Sequence, residues 1–255
     1  TGDPAITMSS YATDATATAP LIIRGVAADG STPAIAYITC ASRYLVNDTV
    51  FDYSRWINIS VVGGSATGLW QMDRSTLVLG CLFDNTAGGN ALEIDGAGSS
   101  YVMHSDIQGA SGNASLVSMG SAGYLIGNYI HEQTNSCRGL TSGQIVIGNI
   151  FHMNTTNASG QAINNSNSSY ITGNICLNNA AGVSAGITCT GAGSVITNNY
   201  VEGWSGVGGA AITASSSNTF IVAANRYYNC TAGVTVNDTD YSTDNSVTTA
   251  SGVAN

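Results

Sequence analysis

Lysine is missing from this chain. Six arginines and three glutamates are present, and charged residues make up 8% of the 255 positions, against about a quarter in an average soluble domain. Fifteen acids against six arginines leave a net charge of −9. A chain with that balance and no basic stripe is a poor match for nucleic acid or for an anionic membrane surface. No apolar run reaches 18 residues, so no spanning helix is expected. No leader is recognisable before Thr1, which reads as a processed or trimmed start. Leucine, lysine and glutamate are scarce or missing, so the strong helix formers are largely excluded.

The six cysteines Cys40, Cys81, Cys137, Cys176, Cys189 and Cys230 include no CxxC pair, which removes the common zinc spacings. Disulfides and small buried hydrophobes both remain open for them. No P-loop, G-x-S-x-G or dinucleotide fingerprint occurs, and no cofactor is expected. What fills the chain is glycine, threonine, serine, asparagine and valine, the vocabulary of strands and turns. Apolar residues reach 44%, too many for a disordered chain. Low charge and richness in Ser, Thr and Asn, with nine Asn-x-Ser/Thr sequons, point to an extracellular or virion surface.

The chain repeats itself. TLVLGCLF from Thr76, SYVMHSDI from Ser100, GYLIGNYI from Gly123, QIVIGNIF from Gln144, SYITGNIC from Ser169, SVITNNYV from Ser194 and TFIVAANRYY from Thr219 share one plan. Each is a short apolar run, a two-residue corner and a second apolar run. WINISVV from Trp56 is a looser copy. With the corner residue as register mark, the copies fall at Ser60, Cys81, Ser105, Asn128, Asn149, Asn174, Asn199 and Asn225. The period near 23 predicts one coil of three short strands per repeat. A third strand lies between corners, with Leu92, Val117, Leu140, Ile163, Ile187, Ile212 and Val234 inward. Beside it Glu93, Ser118, Thr141, Asn164, Thr188, Thr213 and Thr235 face out. The expected fold is therefore all-β, a single-domain right-handed parallel β-helix of 8–10 coils. Residues 1–55 would form an N-terminal cap with the first irregular coils, 56–237 the regular coils and 238–255 a tail or cap.

The run I-x-x-N-x-I, with asparagine at a tight corner between strands, resembles the pectate-lyase-like superfamily of right-handed β-helices, which includes polysaccharide lyases, pectin hydrolases, tailspikes and adhesins. The resemblance covers about Trp56 to Asn237. It implies that Asn128, Asn149, Asn174, Asn199 and Asn225 point inward as a hydrogen-bonded ladder. An amide, which both donates and accepts, suits a buried corner.

Acid–base chemistry on such a scaffold needs clustered carboxylates. Between His131 and Tyr200 the only one is Glu132. Glu93 and Asp95, two apart on one strand, are the weak catalytic candidates, with His104, Asp106 and Arg138 expected in nearby coils. His131 and His152 share a register position and are the weak metal candidates, without an obvious third ligand. Cys176 and Cys189, 13 residues apart and both inward, are the disulfide candidates. Tyr129, Ile150, Ile175 and Tyr200 after the corner, with Tyr124 and Tyr170 before it, fall on outward positions. They form apolar stripes of the kind that marks an interface.

Three functions compete on these grounds. The first is a structural or adhesive surface rod that self-assembles into a homo-oligomer, fibre or filament, with glycans as further partners. The second is a carbohydrate-active tailspike-like or lyase-like enzyme. The third is an ice-binding scaffold built on Thr141, Thr188, Thr213 and Thr235.

Overall fold

The computed structural model describes residues 21–26, 32–41, 46–48, 53–64, 68–72, 75–86, 88–94, 99–109, 115–132, 138–156, 158–214, 220–236, 241–243 and 246–247. Asp95, Cys137 and most of the two end segments lie outside them, and Cys40 is described in its backbone alone. Among the described residues every regular element is a strand, and no helix is long and apolar enough to cross a membrane. The strands form three parallel sheets, each coil giving one strand to each sheet. The first sheet has ten strands, from Leu21–Arg24 to Tyr241–Thr243. The second has ten, from Ala36–Ala41 to Ser246–Val247, and the third nine, from Val46–Asp48 to Ala232–Val236. The chain is thus an all-β parallel solenoid. Pairing runs past 56–237 in both directions, since Leu21 stands beside Ser54 and Ile221 beside Tyr241.

Alternation builds the core. On the first sheet Trp56, Val78, Val102, Leu125, Val146, Ile171, Ile196 and Val222 lie in one column and all are fully buried. Phe83, Ile107, Ile130, Phe151, Cys176 and Val201 do the same on the second sheet. Leu92, Val117, Leu140, Ile163, Ile187 and Ile212 do so on the third. Each such side chain contributes about 1.5–3 kcal/mol on leaving water, but only when a coil above and below covers it.

The first turn owes its sharpness to one backbone position. Immediately before the corner stand Asn58, Gly80, His104, Gly127, Gly148, Gly173, Asn198 and Ala224, all with φ between 49° and 65°. Glycine adopts that left-handed conformation freely and asparagine tolerates it. This column also corrects one register mark. Trp56 pairs with Val78 and Ile59 follows the left-handed Asn58, so Ile59, not Ser60, is the corner residue of that coil. Ser60 pairs with Leu82 instead.

The corner residues close on each other. Asn128, Asn149, Asn174, Asn199 and Asn225 are at most 2% exposed. Each side-chain Nδ2 of the first four donates to Oδ1 of the next, at 2.9–3.0 Å. The same Oδ1 accepts the backbone N–H of the asparagine one coil earlier. Below Asn128 the column continues as Ser105, whose N–H donates to Asn128 Oδ1 at 2.9 Å, and Cys81, whose N–H donates to Ser105 Oγ at 3.1 Å.

A second buried polar column went unread in the sequence. Ser54 and Ser100 open first-sheet strands, Thr76, Ser169 and Ser194 immediately precede others, and all five are buried. The N–H of Thr76 donates to Ser100 Oγ, and that of Ser169 to Ser194 Oγ. Their signal was visible as the serine or threonine that begins most repeats.

Candidate functional site on the second sheet

The outward face of the second sheet carries two parallel columns. In the position after the corner stand Leu82, Asp106, Tyr129, Ile150, Ile175, Tyr200 and Arg226. Two residues further along the strand stand Asp84, Gln108, His131, His152, Leu177, Glu202 and Tyr228. A strand points every second side chain to one side, so both columns face out.

Tyr129, Ile150 and Ile175 are each 39% exposed, and Tyr200 is half-buried. Its hydroxyl donates to Glu202 Oε2 at 2.9 Å. Burial, helped by that carboxylate, pushes its pKa up to about 12. The apolar stripe is thus real and continuous over four coils. On the first sheet Tyr101, Tyr124, Ile145, Tyr170, Val195 and Ile221 form a second outward stripe. Tyr101 and Tyr124 stack with centroids 4.4 Å apart. Clefts of about 440 Å³ beside Tyr101 and about 290 Å³ between Tyr124 and Tyr170 flank this stripe.

Where the first two outward columns begin, polar side chains gather. His131 Nε2 lies 2.8 Å from Asp106 Oδ1, and its ring stacks on Tyr129 at 4.4 Å. Tyr129 Oη lies 3.2 Å from His152 Nδ1, and Asn179 Nδ2 lies 2.7 Å from His152 Nε2. Asp84 faces the same cluster from one coil earlier. Burial raises its pKa; His131 opposes that and Asp106 adds to it. Asp84 Oδ1 is buried without a hydrogen-bond partner. Sequence reasoning missed Asp84 and Asp106 as a pair because they sit two register positions apart in neighbouring coils.

His131 and His152 do lie side by side. Both nitrogens of His152 and one of His131 are already engaged, and no group of three metal-binding side chains occurs among the described residues. The neighbourhood expected around Glu93 is not assembled. Glu93 is on the third sheet, accepting from Asn90 Nδ2 at 3.2 Å, whereas Asp106 is on the second and His104 occupies the turn before it. Arg138 shares the third sheet but belongs to the column of Ser115 and Gln161, while Glu93 belongs to that of Ser118 and Thr141. Asp95 lies outside the described residues.

The expected bridge between Cys176 and Cys189 is also absent: both are free thiols. They are buried on different sheets, and Cys189 Sγ meets Ser169 Oγ at 3.7 Å. Burial pushes the Cys176 thiol up, with Cys230 adding to the shift, so its reactive thiolate is suppressed. In the third-sheet hydroxyl column, Thr141 is hydrogen-bonded to Ser115 and Thr188 accepts from Gln161. No protein-family model matches the chain, and neither does any curated protein or solved structure.

Proposed function

We propose that this chain is a structural or adhesive β-helix rod of an extracellular or virion surface that self-associates into a homo-oligomer, fibre or filament. The observation that carries the reading is the in-register stripe of Tyr129, Ile150 and Ile175, each 39% exposed. Such a stripe costs about 25 cal/mol for each Å² left in water, and contiguous apolar patches on soluble proteins mark interfaces. The winding is taken as right-handed, because parallel crossover connections overwhelmingly are. Likeness to the pectate-lyase-like superfamily rests on the coil pattern and the asparagine column. Sedimentation of the wild type and of Ile150→Asp/Ile175→Asp tests the proposal. The expected result is an oligomer that the double variant dissociates without loss of β-structure. A wild type that stays monomeric at tens of micromolar contradicts it.

A second reading, a carbohydrate-active enzyme, has one specific observation in its favour. Asp84 and Asp106 share an outward face, and burial raises the pKa of Asp84, the asymmetry that an acid–nucleophile pair uses. The expected outcome is no release of reducing ends from acidic or neutral polysaccharides. Release that disappears in both Asp84→Asn and Asp106→Asn would put this reading first.

A further inference from the structure

From one coil to the next, the column after the corner reads Asp106, Tyr129, Ile150, Ile175, Tyr200, Arg226. This stretch, which lies between Leu82 and Ser246 in the column, has an apolar middle that is the same in either direction, Tyr-Ile-Ile-Tyr, flanked by residues of opposite charge. Asp106 is 46% exposed and Arg226 is exposed. The geometry points to an antiparallel dimer of this chain, joined face to face through this column about a two-fold axis between Ile150 and Ile175. The inference rests on the self-association proposed above and names its symmetry.

Two kinds of two-fold rotation bring the face against itself. An axis along the stack keeps the coils in the same order. Asp106 then meets the partner's Asp106 and Arg226 the partner's Arg226, and like charges oppose each other at both ends. An axis across the stack, along the strands, reverses the order. Asp106 then meets the partner's Arg226, Tyr129 the partner's Tyr200, and Ile150 the partner's Ile175. This is the self-complementarity that an isologous interface requires, and charge pairing of this sort fixes register.

The adjacent column favours the same reversal independently. It runs Gln108, His131, His152, Leu177, Glu202, Tyr228. Under a rotation about the strand direction this column also faces itself, which sets His131 opposite the partner's Glu202. Each of these two groups is anchored within its own chain, His131 by Asp106 and Glu202 by Tyr200. The six coils span about 24 Å, five strand spacings of about 4.8 Å. Two columns of that length make a small interface, at the transient end of the range, so the dimer belongs in the micromolar range.

Cysteine pairing reads the symmetry directly. In the antiparallel arrangement position 129 faces position 200 of the other chain, whereas two copies of position 129 are about 14 Å apart, three strand spacings, beyond the reach of a disulfide. Tyr129→Cys and Tyr200→Cys chains are oxidised separately and as an equimolar mixture, with the wild type and its own cysteines as background. The expected result is a covalent dimer in the mixture, several-fold above either variant alone. Asp106→Arg is expected to raise the dimer dissociation constant about tenfold, and Asp106→Arg/Arg226→Asp to restore it. Cross-linking of Tyr129→Cys with itself overturns the antiparallel arrangement and leaves self-association standing. A wild-type dimer that cross-links in no combination also overturns it, because the contact then lies on another face. A monomeric wild type removes both the inference and the reading beneath it.

Discussion

Below residue 120 and above it, the solenoid closes the same corner with different chemistry. In the lower coils the corner residues are Ile59, Cys81 and Ser105. In the upper coils they are five asparagines. Each of the middle asparagines satisfies its own coil and both neighbours: Asn174 donates to Asn199 and to the Val146 carbonyl, and accepts twice from Asn149. Ser105 accepts from Cys81 and donates to the Met103 carbonyl, and Ile59 has no polar side chain to offer. In the lower coils the buried aromatic rings meet one another. Trp56 and Trp70 meet edge to face with centroids 4.4 Å apart, and Trp70 meets Phe83 at 5.1 Å, contacts worth about 1 kcal/mol each beyond their burial. The same corner is thus closed by an amide ladder in the upper half and by cysteine, serine and isoleucine in the lower, while packed apolar columns run through both.

The largest expected effect tests that division. Asn174→Leu leaves a buried N–H and a buried carbonyl unpaired and interrupts the ladder, at a cost of about 4 kcal/mol. Cys81→Ala, at the same corner position, removes only weak sulfur contacts to the carbonyls of Trp56 and Leu79, and should cost about 1–2 kcal/mol. Urea unfolding of the two variants decides the matter, and equal losses would erase the distinction between the halves.

Within the lower half, the two tryptophans should differ. Trp56 Nε1 donates to Ser54 Oγ at 3.1 Å, whereas Trp70 Nε1 is buried with no hydrogen-bond partner. Trp56→Phe is therefore expected to cost about 1 kcal/mol more than Trp70→Phe in thermal unfolding. Equal losses would make the tryptophans interchangeable packing.

The left-handed position offers a smaller, paired test. A Cβ at Gly148 would meet nothing within 4 Å, so Gly148→Ala isolates the backbone cost, about 1–2 kcal/mol. Ala224, at φ 55°, already bears that cost, and Ala224→Gly should stabilise by up to about 1 kcal/mol. Both shifts are readable as melting temperatures, and a destabilising Ala224→Gly would contradict the strain assignment.

Smallest is the pH effect at Asp84. Burial raises its folded pKa above its ordinary value. The protonated form is therefore favoured in the fold, and its contribution is complete below the unfolded pKa and lost as pH rises through the folded one. Asp84→Asn should gain stability relative to the wild type between pH 4 and pH 7. A difference that stays flat or shrinks over that range would oppose the burial argument.

Much of this architecture could be read in advance, because a solenoid writes its core as columns. Val78 to Val222, Phe83 to Tyr227 and Leu92 to Val234 recur once per coil, and tertiary packing merely repeats the local pattern. The corner mark of the first coil fell one residue late, on Ser60, because a bulky Ile59 holds the place where later coils have cysteine, serine or asparagine. The Asp84, Asp106 and His131 cluster was legible in part: Asp84 and His131 share one outward column, but Asp106 joins them from the column beside it, across a diagonal between neighbouring coils. Cys176 and Cys189 were put together by sequence distance, which does not fix how far apart two inward positions of one coil stand across a packed core. Asp106 and Arg226, which flank the apolar stretch, follow from the same register once the polar members of the column are included.

The buried asparagine column fixes the coil register, and side-chain amide exchange tests it most directly. In deuterated buffer, the Nδ2 protons of Asn128, Asn149, Asn174, Asn199 and Asn225 should persist long after those of the exposed Asn198 and Asn229 have exchanged. If those five amides exchange as fast as Asn198 and Asn229, the column is not buried and the coil register is wrong.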